Sequence, residues 1–191
     1  MATMIEAERI KWEQRHQGQP PGDPEAFLIE ALELMPRGLA LDVAAGRGRN
    51  SIAMARAGMR VVAADFSSSA ITALAEIARV EHLPIWPVIA DFDNFALRDS
   101  RFDAIVNINF LDRALFPHFK RALRLGGILV VETFLVDQAS SWHISNQRFL
   151  LDHYELRELV AGLELIRYRE GLFPFLDGTS AWRAGAVARK V

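Results

Sequence analysis

The sequence predicts an α/β protein, a three-layer sandwich around a doubly wound sheet that is parallel except at its C-terminal end. Three observations carry this. From Leu39 onward, short apolar runs alternate with longer amphipathic stretches, the pattern of βαβ units rather than of a meander. The first apolar run ends in a small-residue turn, Ala44-Ala45-Gly46-Arg47-Gly48, that opens a helix. Near the C-terminus two strand-like runs follow one another with no helical pattern between them, so at least one strand runs antiparallel to the rest.

In chain order, Ile5 to His16 has helical spacing and is stopped by the Gly/Pro-rich run from Gln17 to Pro24. A second helix is expected over Pro24–Leu34, with Asp23 as N-cap and Pro24 at its first position, so that residues 1–35 form a helical flap before the main fold. Strand one is Leu39–Ala44, followed by a helix at Asn50–Ala57. Strand two is Arg60–Ala64, then a helix at Ser68–Val80, and strand three is Pro84–Ile89. Strand four is Ala104–Ile108, its helix is Leu115–Leu123, and Gly126-Gly127 turns the chain into strand five, Ile128–Glu132. The final pair, Leu163–Arg169 and Trp182–Arg189, reads as a hairpin.

A length of 191 residues, half of them hydrophobic, suits one domain with one sizeable core. With 22 Lys and Arg against 24 Asp and Glu, and no dense basic block, a broad surface for nucleic acid or acidic membrane is not expected. The expected partner is therefore a small molecule, and the protein a monomer or homodimer. No cysteine is present, which excludes disulfides, thiolate metal sites and a cysteine nucleophile. The N-terminus is charged throughout and no apolar run reaches membrane-spanning length, so a cytoplasmic address is expected.

The chemistry concentrates where strands end. In Leu41-Asp42-Val43-Ala44-Ala45-Gly46-Arg47-Gly48-Arg49-Asn50-Ser51, small residues let a ligand approach the backbone, and the following helix offers unpaired N–H groups. A dinucleotide fingerprint would place a third glycine at Ser51, and Asp42 lies close to where pyrophosphate would bind and would repel it. The same acid suits a ligand with an ammonium group and no phosphate, such as S-adenosylmethionine. Asp65, followed by Phe66, ends strand two about twenty residues beyond the turn, where a carboxylate accepts ribose hydroxyls. Asp91 with Phe92 ends strand three, where an acid takes the adenine amino group and an aromatic covers the ring. Three acids closing three successive parallel strands face one crevice.

This order and spacing resembles the class I S-adenosylmethionine-dependent methyltransferases, and among them the small tellurite-resistance-type branch. The resemblance rests on Trp12-Glu13-Gln14-Arg15, the turn from Gly46 to Asn50, the segment Phe110 to Pro117 after strand four, and Gly126-Gly127 before a strand ending Glu132-Thr133-Phe134. It implies seven strands in the order 3-2-1-4-5-7-6 with strand seven antiparallel. It also implies that S-adenosyl-L-methionine is the cofactor and S-adenosyl-L-homocysteine the product. By resemblance, Asp42, Gly46 and Gly48 contact the methionine part, Asp65 the ribose, and Asp91 with Phe92 the adenine, with Asn107, Ile108, Asn109 and Phe110 lining the floor; Ala44, Asn50 and Phe66 are also expected at the cofactor. Ala44 departs from the family, which has a glycine there; alanine is tolerable if its φ is negative.

Asn107-Ile108-Asn109-Phe110 is not the Asn/Asp-Pro-Pro-Tyr motif that holds planar amine acceptors. Methyl transfer from a sulfonium proceeds in line and needs no obligatory acid or base. Trp12, Arg15, Trp142, His143 and Arg148 are candidates to close over the acceptor, expected to be a soft nucleophile or a small oxyanion. No metal is expected. Two alternatives stay open: a nicotinamide-dependent oxidoreductase, whose short-chain form needs a Tyr-x-x-x-Lys pair that neither Tyr154 nor Tyr168 supplies, and a non-catalytic S-adenosylmethionine-binding protein.

Overall fold

The computed structural model describes residues 20–94, 96–137, 147–174 and 179–191. Seven strands form one sheet in the order β3-β2-β1-β4-β5-β7-β6. They are β1 Leu39–Val43, β2 Arg60–Asp65, β3 Ile85–Ile89, β4 Phe102–Ile108, β5 Leu123–Phe134, β6 Glu164–Pro174 and β7 Ser180–Arg189. β1 to β5 pair in parallel, whereas β7 runs antiparallel to both β5 and β6. The expected strand order and the terminal hairpin are both present. The reversal falls between β1 and β4, whose connections leave on opposite sides and open a crevice at the C-terminal edge of the sheet.

Each face of the sheet is covered at its centre, because β1, β4 and β5 carry buried apolar residues on both sides. Leu39, Leu41 and Val43 point with Ile105, Leu129 and Val131 into one core layer. That layer is closed by α4, Phe116–Ala122, through Phe116 and Phe119, and by α5, Glu155–Leu159, through Leu156. Ala40, Val61, Ala63, Ala104, Val106, Val130 and Val187 face the other layer. There α1, Ala26–Ala31, brings Phe27 and Leu28, α2, Arg49–Arg56, brings Ile52 and Met54, and α3, Ser68–Val80, brings Leu74. Each such fully buried side chain contributes about 1.5–3 kcal/mol relative to leaving it in water. Phe27 lies directly over Gly185, where an added Cβ would meet its ring at 2.9 Å, so β7 needs a glycine at that point. Among the described residues no helix is long and apolar enough to cross a membrane.

Two expectations are corrected. The first helix starts at Ala26 with Glu25 as its N-cap residue, not at Pro24 with Asp23 as cap. Tertiary contact decides this: the Glu25 amide donates to Asn50 Oδ1 at 3.0 Å, and its carboxylate is drawn into ion pairs across the sheet. The strand after Gly126-Gly127 begins earlier than Ile128, since Leu123 already pairs with Phe102, and the intervening residues loop out before regular pairing resumes at Ala104 and Ile128. The short helix α5 was not foreseen, being only five residues long. The expected helix at Ile5–His16 lies outside the described residues.

Candidate active site

The turn after β1 is tight. Ala44, Gly46 and Gly48 all have left-handed backbones, with φ of 54°, 54° and 84°. At Gly48 an added Cβ would fall 2.3 Å from a methyl of Leu74, so that glycine is demanded by packing of α3 against the turn. Asp65 closes the turn from β2: its Oδ2 accepts from the Gly46 amide at 2.7 Å and its Oδ1 from the Ser67 amide at 2.8 Å. Phe66, beside it, is half-buried.

The condition on Ala44 is not met, because its φ is positive. An L-residue in the left-handed region costs about 1–2 kcal/mol, of which glycine's greater unfolded freedom returns about 0.5–1 kcal/mol. Ala44→Gly should therefore stabilise the fold and raise the thermal midpoint by about 1–4 °C. A midpoint that stays level or falls would show that the alanine is unstrained.

Asp42 points to the face of the sheet opposite Val43, where Ser51 Oγ donates to its Oδ2 at 2.6 Å. Burial, reinforced by the nearby Asp65 carboxylate and opposed by Ser51 and Arg49, pushes its pKa up to about 7. Asp91 is exposed and Phe92 buried, its ring tilted against Phe110 at a centroid distance of 5.2 Å. Asn107 is fully buried at the end of β4 beside Val43, and neither its amide nitrogen nor its oxygen has a hydrogen-bond partner among the described residues. Ile108 is buried with the other apolar residues of its face.

Asn109 and Asn50 serve the fold through their side chains. Asn109 has φ of 61°, donates to Glu25 Oε1 at 2.6 Å and accepts from Arg183 Nη2. Asn50 accepts from the Glu25 amide. Both belong to a buried charge network that the sequence reading missed. Arg183 pairs with Glu25 and Glu132, each at 3.2 Å, and its guanidinium faces the Phe134 ring. Glu132 also accepts from Arg169, which is held between the rings of Phe27 and Phe173 at 4.4 and 4.5 Å. Arg49, one residue past the glycine turn, reaches Glu25 as well. Burial raises the Glu132 pKa in spite of Arg183 and Arg169. Burial acts the same way on Glu25, but Arg183 and Arg49 more than offset it and lower its pKa. The available signal was an arginine in the alanine-rich strand Ala181-Trp182-Arg183-Ala184-Gly185-Ala186, on the same face as Gly185 and Val187.

Of the residues expected around the acceptor, Trp12, Arg15, Trp142 and His143 lie outside the described residues. Arg148 is described, and it lines a recess with Asp91, Phe92, Phe110, Asp112 and Phe149. It therefore stands with the residues read as the adenine side. Among the described residues no cluster of His, Asp and Glu has metal-holding geometry.

A seven-stranded sheet in this order, with β7 antiparallel and three strand-ending acids around a small-residue turn, is the fold of the class I S-adenosylmethionine-dependent methyltransferases. Residues 40–127 match the family model described as a methyltransferase domain. Demethylmenaquinone methyltransferase of Thermobifida fusca (strain YX) is 32% identical over 113 residues, covering 56% of this chain and 48% of that protein. The chain thus spans about half the length of that curated relative. TehB from Haemophilus influenzae superposes with a TM-score of 0.77 at 21% identity, over 87% of this chain and 62% of that one. Geranyl diphosphate C-methyltransferase from Streptomyces coelicolor A3(2), solved with Mg2+, geranyl diphosphate and S-adenosyl-L-homocysteine, superposes with a TM-score of 0.64 at 18% identity, over 98% and 81% of the two chains. These two structural likenesses show the fold.

Proposed function

We propose that this protein is an enzyme that transfers the methyl group of S-adenosylmethionine to a small acceptor. The observation that carries this is the division of labour among three acids at one crevice. Asp42 is buried beside Ser51, Asp65 braces the glycine turn, and Asp91 is exposed beside an aromatic. The residues fit the cofactor: its ammonium satisfies Asp42 directly or through a water, its ribose hydroxyls donate to Asp65, and its adenine amino group donates to Asp91. The partnerless amide of Asn107 at the crevice adds a donor and an acceptor to the same region. When bound, the cofactor would supply an activated methyl on its sulfonium, to be displaced onto the acceptor's lone pair with S-adenosylhomocysteine as the leaving group. The protein's contribution is to hold both partners in line and exclude water.

The acceptor we propose is a soft nucleophile or small oxyanion. The absence of the Pro-Pro-Tyr motif, together with the resemblance of the sequence to the tellurite-resistance-type branch, supports this class. Methyl transfer to a panel holding thiols, selenols, tellurite, a quinol and an isoprenoid diphosphate tests it. Turnover of the last two alone would replace this class with a carbon acceptor.

The cofactor assignment is tested by calorimetry with S-adenosylhomocysteine, which keeps the amino-acid end. The cationic ammonium prefers ionised Asp42, whose pKa in the free protein is about 7. Affinity should therefore rise with pH through that value, by about tenfold between pH 6 and pH 8. For the protein alone the sign is opposite: a carboxyl raised from 3.8 to about 7 on folding contributes stability that is lost as pH climbs across that window. A pH-independent affinity would remove Asp42 from the ammonium site.

A further inference from the structure

The stretch at residues 147–151, which leads back from the end of β5 toward α5, is held far more firmly than a surface connection needs to be. Leu151 pairs with Leu135, and its amide and carbonyl bond to Phe134 and Val136 at 2.9 and 3.0 Å. Leu150 and Leu151 are buried. The remaining restraint comes from Arg113, just past β4. Its Nη1 donates to the Arg148 carbonyl at 2.8 Å and its Nη2 to the Leu150 carbonyl at 2.9 Å, while Nε and Nη2 grip the Glu155 carboxylate. Glu155 is itself fixed by the Asp152 amide at 2.9 Å. A planar fork is needed for this: four bonds in two directions exceed what an ammonium can make.

What this clamp presents is the pair Arg148 and Phe149, on one side of a recess whose other sides are Asp91 and Phe92 after β3 and Phe110 and Asp112 after β4. We propose that Arg148 and Phe149 form a third wall of the adenine subsite, and that Arg113, seated on Glu155, is the positioning residue that sets this wall. This rests on the cofactor reading above. Adenine carries a donor in its amino group and acceptors in its ring nitrogens. A carboxylate on one side and a guanidinium on another match that polarity, and the rings of Phe92, Phe110 and Phe149 supply apolar cover. A purine with a carbonyl in place of the amino group would meet the Asp91 carboxylate with an acceptor, so the wall selects adenine.

The experiment is calorimetry on the full chain with S-adenosylhomocysteine and with 5′-deoxy-5′-methylthioadenosine, which keeps base and ribose but lacks the amino-acid end. Arg148→Ala, at an exposed position and so safe for folding, should weaken both ligands by the same factor, about tenfold, the scale of a hydrogen bond to a charged group. Arg113→Lys should do likewise. In the double variant the loss should be smaller than the sum of the two single losses, because Arg113 acts through the wall to which Arg148 belongs. Additive losses would overturn the positioning role. Unchanged affinity for both ligands in Arg148→Ala, with a raised KM for the acceptor, would return Arg148 to the acceptor side. Wild-type protein that binds neither ligand would overturn the cofactor reading and this inference together, an outcome distinct from a wild type that binds and a variant that binds equally well.

Discussion

Replacing Arg183 by methionine is expected to destabilise the fold by about 3–5 kcal/mol, the cost of removing one partner from a buried ion pair. Arg183 is 3% exposed and stands between two carboxylates, so its loss leaves Glu25 and Glu132 facing each other without the cation between them. Methionine fills much of the volume but supplies no charge. The Asn109 side chain also loses a donor, and Asn109 keeps a left-handed backbone at the end of β4 that the network helps to hold. Urea unfolding of the variant measures the cost. A loss under about 1 kcal/mol, as for an exposed pair, would mean that water already reaches the cluster.

Asp65→Ala should weaken S-adenosylhomocysteine binding by about 1.5–3 kcal/mol, or roughly ten- to a hundredfold in dissociation constant. The structure adds a second consequence. With the carboxylate gone, the amides of Gly46 and Ser67 lose their acceptors, so the variant should also lose about 1–3 kcal/mol of stability. Asp65→Asn keeps one acceptor oxygen and should fall between wild type and alanine on both scales. Unchanged affinity in a folded alanine variant would take Asp65 out of the ribose site.

Much of the architecture was legible because local chemistry repeats it. The acid-terminated strands at Asp42, Asp65 and Asp91 and the glycine turn could be read because each signal is contained in a few neighbouring residues. The boundary of the first helix could not, because Asp23-Pro24 is a sound local start that lost to the pull on Glu25 from Asn50, Arg49 and Arg183. Nor could the placement of Arg148: its neighbours Asp91 and Phe92 are 57 and 56 positions away, and nothing local to residue 148 encodes the Arg113 clamp that seats it.

By itself, then, the order of residues determined the class of fold and set acids at the C-terminal ends of three parallel strands. These depend on hydrophobic period and on which residue ends a strand, both short-range properties of the chain. Tertiary structure alone decided three things. Ala44 takes a left-handed backbone because the turn must pass beneath α3. Asn50 and Asn109 join their side chains to Glu25, because the fold brings that distant residue between them. Asp42 holds its proton up to about pH 7, because the sheet and α2 strip water from it and bring Asp65 near. Burial and charge proximity are sums over residues distant in sequence, and they exist only once the chain has closed around them.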